Sequence, residues 1–262
     1  MGTKDISALS LVLAFATVLA ILVVFRITRV RLHKHLLIAV ARMSVQLGLV
    51  GLYLTVLFEL NNPAVNFGYI LLMIGVANYS VLRNSGLRPA LFFFTFPALL
   101  IAMLSVLGYF IIFVYAPEPL FDARYVIPVG GMLLGNSMNR TIISLERFYS
   151  SVRNDSDGYA SLVSMGATVR EATRPYLTTA YRAGMAPWLA SISTMGIVSL
   201  PGMMTGQILG GSPPIVAIKY QITIILAILI ATELASLLTI LFSMRRCFNT
   251  FGFLREDIFK PI

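Results

Sequence analysis

Long apolar runs constrain this chain more than any other feature of its sequence. Several reach the roughly 20 residues needed to cross the hydrocarbon of a bilayer, and the first occupies about Ile6 to Phe25. Backbone at that depth finds no water, and a helix satisfies its polar groups within one segment. Only 12% of the residues are charged and 58% are hydrophobic, against about 25% charged in soluble domains. The chain therefore reads as an all-α integral membrane protein. The first run is not an obvious secretory signal: it is too long, lacks a clear small-residue cleavage site, and is followed by a basic cluster. The lone cysteine, Cys247, excludes internal disulfides and a cysteine-cluster metal site.

Read in order, the sequence predicts about seven spans in a single domain, 1–262. They cover about Ile6 to Phe25, Leu36 to Phe58, Phe67 to Leu82, Ala90 to Tyr115, Tyr125 past Ile143, Met185 to Met204, and Val216 to Met244. A long polar segment, about 144–184, separates the fifth from the sixth. Basic residues fix the orientation. Arg26, Arg29, Arg31, Lys34, Arg83, Arg88, six arginines from Arg140 to Arg182, and Arg245, Arg246, Arg255 and Lys260 fall on one side. Lys4, Arg124 and Lys219 fall on the other. The positive-inside rule then puts the N-terminus outside and the C-terminus in the cytoplasm of a multi-pass inner (plasma) membrane protein. The net charge of +9 is a topology signal, and nucleic acid is not expected as a partner.

Two stretches break the apolar pattern. Leu162-Val-Ser-Met-Gly-Ala-Thr-Val-Arg-Glu-Ala-Thr-Arg174 reads as helix, break, helix. Gly166 suits the end of the first helix, Thr168 the N-cap of the second, and Glu171 completes a capping box. Pro175 is expected to bend or end that helix. The result is a short elbow with Met165, Ala167 and Val169 near its tip. Either it lies on the inner leaflet as an amphipathic helix, or it docks into a partner's groove. The second stretch, Ser199-Leu-Pro-Gly-Met-Met-Thr-Gly-Gln-Ile-Leu-Gly-Gly-Ser-Pro-Pro214, holds four Gly and three Pro in sixteen residues. Broken backbone at membrane depth survives where protein or a water-filled cavity surrounds it and marks transport paths in known carriers. An ordinary turn with small residues for close packing also fits.

These stretches carry a resemblance. Gly166-Ala167-Thr168 is similar to the coupling-helix signature of ABC transporter permeases. Leu200 to Pro214, then Ala217-Ile-Lys-Tyr-Gln-Ile222, resembles one permease family closely, the one containing bacterial iron exporters and plant aluminium-tolerance relatives. Ile127-Pro-Val-Gly-Gly-Met-Leu-Leu-Gly-Asn136 resembles the same family's fifth-span motif. The resemblance implies a permease subunit for export of iron or another metal ion. It also implies two copies each of permease and ATPase, with Met165, Gly166, Ala167, Thr168, Val169 and Glu171 seated in a cleft on the ATPase. Glu233 departs from the family pattern, which has no acidic signature in its last span.

The sequence supports one element of this directly. No Gly-x-x-x-x-Gly-Lys-[Ser/Thr] phosphate loop is present, so ATP and magnesium belong to a separate subunit. No catalytic constellation appears at a membrane face, so an enzyme is not expected. Polar groups within spans face a bundle interior. Asn78, Asn136, Asn139, Pro201, Gly202, Met203, Met204, Thr205, Gln207 and Gln221 are therefore the candidates for a transport path, with no metal ligand set assigned. Thioethers suit soft metals rather than iron, and methionines in such helices commonly serve packing. His33 and His35 belong to the basic surface loop. Arg42 and Glu233 are intramembrane charges that could pair, or Arg42 could snorkel to the inner surface. Glu146 with Arg147 is expected to form a hinge into the elbow. Besides a metal exporter, an ABC permease for a nucleotide sugar, amino acid or chelate fits, as does a stand-alone secondary transporter or channel.

Overall fold

A computed structural model describes residues 5–260, and all its regular elements are helices. They are α1 (Ala8–Ile27), α2 (His33–Leu60), α3 (Pro63–Asn84), α4 (Pro89–Tyr115), α5 (Ala123–Asn154), α6 (Ser156–Ser164), α7 (Val169–Thr194), α8 (Gly202–Leu209) and α9 (Pro214–Cys247). Local chemistry starts several of them. Ser7 and Asn62 accept backbone N–H groups as N-caps of α1 and α3, and Asp122 does so for α5. Pro63 follows at the first position of α3, where a missing N–H costs nothing.

Five helices, α1 to α4 and α9, are long and apolar enough to cross a membrane. The expected fifth and sixth spans lie on α5 and α7, of 32 and 26 residues, which carry more charge. Three sequence expectations need correction. Glu146 and Arg147 are no hinge: both are exposed on a helix that continues to Asn154, and the chain turns at Asp155. Pro175 does not end its helix, because α7 runs through both Pro175 and Pro187. The helix that holds the expected sixth span stops at Thr194 rather than Met204, and the chain turns before forming α8. Lys4, counted among the sparse basic residues of one side, lies outside the described residues.

The core gathers α3, α4, α5, α7 and α9 around α5 and α9. Hydroxyl pairs mark the α5–α9 seam: Ser137 with Thr232 and Thr141 with Ser236, both at 3.4 Å, and Tyr149 with Ser243 at 2.7 Å. Residue numbers rise together along it, so the two helices run parallel. α7 returns antiparallel to α5, pairing Tyr176 with Asp155 and bringing Gly184 against Ser144. Small residues set the spacing, as they do in membrane helix packing. Ala217, Ala227, Ala231 and Ala235 of α9 have no exposed surface, and a Cβ on Gly130 of α5 would meet Ile70 Cδ1 at 2.6 Å.

α1 buries no residue, and α2 buries only Leu57, which packs on Ala123 and Ile127 of α5. Substituting Gly130 by Leu is expected to overpack the α3–α5 contact and lower stability by about 1–3 kcal/mol. Gly135→Leu, where a Cβ meets nothing within 4 Å, should be nearly neutral. Unfolding of both variants in mixed micelles checks the contrast.

Candidate functional site

The elbow forms as its sequence dictates. Gly166 takes φ +94°, a left-handed conformation that favours glycine at a helix end. Thr168 caps α7: its hydroxyl accepts the Glu171 N–H at 3.3 Å, and the Glu171 carboxylate accepts the Thr168 N–H at 2.8 Å. The Thr168 hydroxyl, followed by its N–H, holds the Glu171 carboxyl below its ordinary value of 4.5. Met165 is the exposed tip, at 76%. Ala167 and Val169, expected at the tip as well, are half-buried and pack against the core.

A feature the sequence reading missed supports this elbow from behind. The C-terminal tail, 248–260, folds back beneath it. The Tyr159 hydroxyl of α6 donates to the Gly252 carbonyl at 2.6 Å, and burial raises that phenol to about 12, so it keeps its proton. A Cβ on Gly252 would sit 3.3 Å from Val163 and 3.4 Å from Val169. Arg153 pairs with Glu256 at 3.2 Å and lies over the Phe259 ring. The tail then crosses to the α3–α4 loop: Arg88 N–H donates to Ile258 O at 2.9 Å, and the Lys260 ammonium donates to the Arg83 carbonyl. Elbow, tail and the Arg83–Arg88 loop thus share one end of the bundle. Behind the elbow, a cavity of about 410 Å³ is lined by Val169, Arg170, Phe242, Arg245 and Phe248.

The other end holds the candidate path residues of the Gly/Pro stretch. Its turns pass through Gly196 and Gly211, both at positive φ, and between them α8 presents two faces to two cavities. Met203 and Gln207 face one of about 600 Å³, with Met132, Glu118, Asp122, Arg124 and the tyrosines 115, 125 and 220. Tyr115 stacks on Tyr220 at 5.7 Å. Pro201 and Met204 face the second, an apolar space of about 440 Å³ that Met195 and Gln221 also line. The Oε1 atoms of Gln207 and Gln221 are buried without a hydrogen-bond partner. Gly202 and Thr205 also lie on α8, Gly202 exposed and Thr205 bonded to the Pro201 carbonyl.

The asparagines do not join this group. Asn78 is fully buried between α3 and α4 and donates to the Phe92 carbonyl at 3.1 Å. Asn136 donates to Met132 O within its own helix at 2.8 Å. Asn139 is exposed. Among the described residues, no three His, Cys, Asp or Glu side chains come close enough to hold a metal ion.

Of the two expectations for Arg42, pairing with Glu233 is not met among the described residues. Arg42 is exposed on α2, away from Glu233. Opposite Glu233 stands Arg140, which the sequence reading counted with the cytoplasmic arginines. It is 8% exposed, with its guanidinium 4.0 Å from the centroid of Trp188. Only the i, i+4 spacing of Ser137–Thr141 and Thr232–Ser236 hinted that α5 and α9 present polar faces to each other.

A family model described as "Uncharacterised protein family (UPF0014)" matches residues 8–248. "UPF0014 membrane protein YjkA" of Bacillus subtilis (strain 168) is 35% identical over 217 residues, 83% of this chain and 86% of its own length. "Probable iron export permease protein FetB" of Escherichia coli (strain K12) is 27% identical over 250 residues, 95% of each chain. "Protein ALUMINUM SENSITIVE 3" of Arabidopsis thaliana is 30% identical over 198 residues, 74% of this chain and 70% of its own. No solved structure matches the chain.

Two outcomes test the elbow. Because the Glu171 carboxyl titrates below 4.5 when folded, its contribution is complete above that pH and lost as pH falls through the lower folded value. Protection factors at 169–172, taken relative to intrinsic exchange at each pH, should therefore fall in acid, and Glu171→Gln should abolish that fall. Tyr159→Phe leaves the Gly252 carbonyl without its donor and should cost about 1–3 kcal/mol, read as faster exchange in both elbow and tail.

Proposed function

This chain belongs to the UPF0014 family of membrane proteins, and on that premise we propose that it is the permease subunit of an ATP-driven exporter. The observation that carries the reading is the elbow: a capped helix start, a glycine break and an exposed Met165, held out from the bundle by the C-terminal tail. An exposed apolar tip on a braced turn suits docking into a groove better than lying loose on a leaflet.

In this reading α5 and α7 cross the membrane together with the five more apolar helices, seven spans in all. The basic end faces the cytoplasm, and the N-terminus lies outside. Two permease copies pair with two ATPase subunits, which bind ATP and magnesium. Closure of the ATPases pushes the elbow, and α7 carries that displacement into the core. The cavity beside Met203 and Gln207 is the outer mouth of the path.

Metal ion, with iron first, is the proposed cargo, supported by the printed name of the Escherichia coli relative. A second reading has an observation of its own. A cavity of about 600 Å³ lined by three tyrosines, Arg124 and two carboxylates, Glu118 and Asp122, with no group of three His, Cys, Asp or Glu side chains among the described residues, suits an organic solute or a chelate better than a bare ion, which prefers several converging charged ligands.

Inverted membrane vesicles holding this chain and its ATPase separate the readings. ATP-dependent accumulation of iron supports the first. Movement of an organic solute or metal chelate without free metal selects the second, and uphill transport that ignores ATP and the ATPase refutes both. Met165→Asp should uncouple transport from ATP hydrolysis while leaving the fold intact, since the side chain is exposed. Normal coupled transport by that variant would remove the elbow from the mechanism.

A further inference from the structure

We infer that Arg140 and Glu233 form a two-position latch at the junction of α5, α7 and α9, with Trp188 as the arginine's alternative partner. The inference deepens the proposed transport stroke and rests on that reading for its role, though its physical content stands apart from it. Arg140 is almost wholly enclosed, and its guanidinium lies on the face of Trp188. Its Nη1 and the Trp188 Nε1 are both buried with no hydrogen-bond acceptor. Glu233 on α9 is the acidic group whose charge reaches Arg140, yet the two are not in contact: the ion pairs within 4.0 Å among the described residues are Arg153–Glu256 and Arg255–Asp257.

A buried guanidinium with a free donor is costly, and a carboxylate left unpaired beside it is costly too. The π-face of an indole compensates part of the first cost and none of the second. An arrangement in which Glu233 closes on Arg140 supplies the missing acceptor and pairs both charges. The arginine therefore has two competing partners, one on each neighbouring helix, and this structure shows it on the first.

The helix carrying Trp188 is built to move between them. α7 begins at the elbow and reaches Trp188 about 28 Å further along. Pro187, immediately before the indole, has no N–H to donate and loosens the helix at that level. Gly184 brings α7 against Ser144 and the Arg140 carbonyl with no side chain of its own between them. Tyr181 donates to the Glu233 carbonyl at 3.2 Å, so α7 and α9 are linked about two helical turns from Trp188. A tilt of α7 that draws Trp188 off the guanidinium leaves Arg140 only Glu233. Arg140 and Glu233 are thus positioning residues for the stroke rather than contacts of the cargo.

Trp188 is the single tryptophan of the chain, so its emission reports this contact directly. Time-resolved fluorescence of the purified full chain in nanodiscs needs neither ATPase nor cargo. Glu233→Gln takes the charge from the second position and should raise the ratio of stacked to free indole several-fold, because the competing ion pair is lost while the cation–π contact stays. Arg140→Gln should abolish the stacked component and make the indole more accessible to acrylamide. Arg140→Lys keeps the charge and provides a second background in which Glu233→Gln must act with the same sign. A lifetime distribution that Glu233→Gln leaves unchanged, in wild type and in Arg140→Lys alike, overturns the latch. If the latch responds as expected but the chain fails to bind or stimulate an ATPase, the inference stands and the proposed exporter falls.

Discussion

Where α5 meets α9, hydroxyl groups pair across the seam. Lipid tails are as apolar as leucine, so burial from water does not drive these helices together. Close backbone approach has to do it, and close approach requires small residues. Thr232 and Ser236 on α9, with Ser137 and Thr141 on α5, meet that requirement. Each hydroxyl pair adds only about 0.6 kcal/mol in such settings, so the seam depends on its fit along the whole length. α3, α4 and α7 then pack around a pair of helices already locked in parallel.

That seam separates two chemically different ends. At one, arginines cluster and the C-terminal tail stitches α6, α7 and the α3–α4 loop into one braced surface. At the other, the Gly/Pro stretch folds into a short helix between two left-handed glycines, with a polar cavity on one side and an apolar one on the other. Between the ends sits Arg140, held by a helix that starts in the braced surface. The helix α7 therefore links the elbow at the basic end to the Arg140 contact in the middle. Two prolines inside α7 lower its stiffness at chosen levels without ending it, because neighbouring helices hold the freed carbonyls in place.

α1 and most of α2 stand apart from this core with their apolar side chains uncovered. Their composition suits lipid, and only Leu57 is drawn inward by Ala123 and Ile127. The two helices nearest the N-terminus are thus the least packed, while α5, with five charged side chains, buries residues along its whole length, from Ala123 to Val152.

The sequence by itself determined the helical membrane class, the segregation of basic residues, the capping box at Thr168 and Glu171, and the family. All four are written in local composition or short motifs, whose physics involves residues a few positions apart. The ends of α7, the absence of a bend at Glu146 and the partition of α8 between two cavities were decided only by tertiary structure. So were the tail beneath the elbow and the meeting of Arg140 with Trp188 and Glu233. Segments that are apolar on every side carry little record of which face meets which neighbour. A proline or a buried arginine is costly or harmless according to what packs beside it, and that neighbour lies tens of residues away.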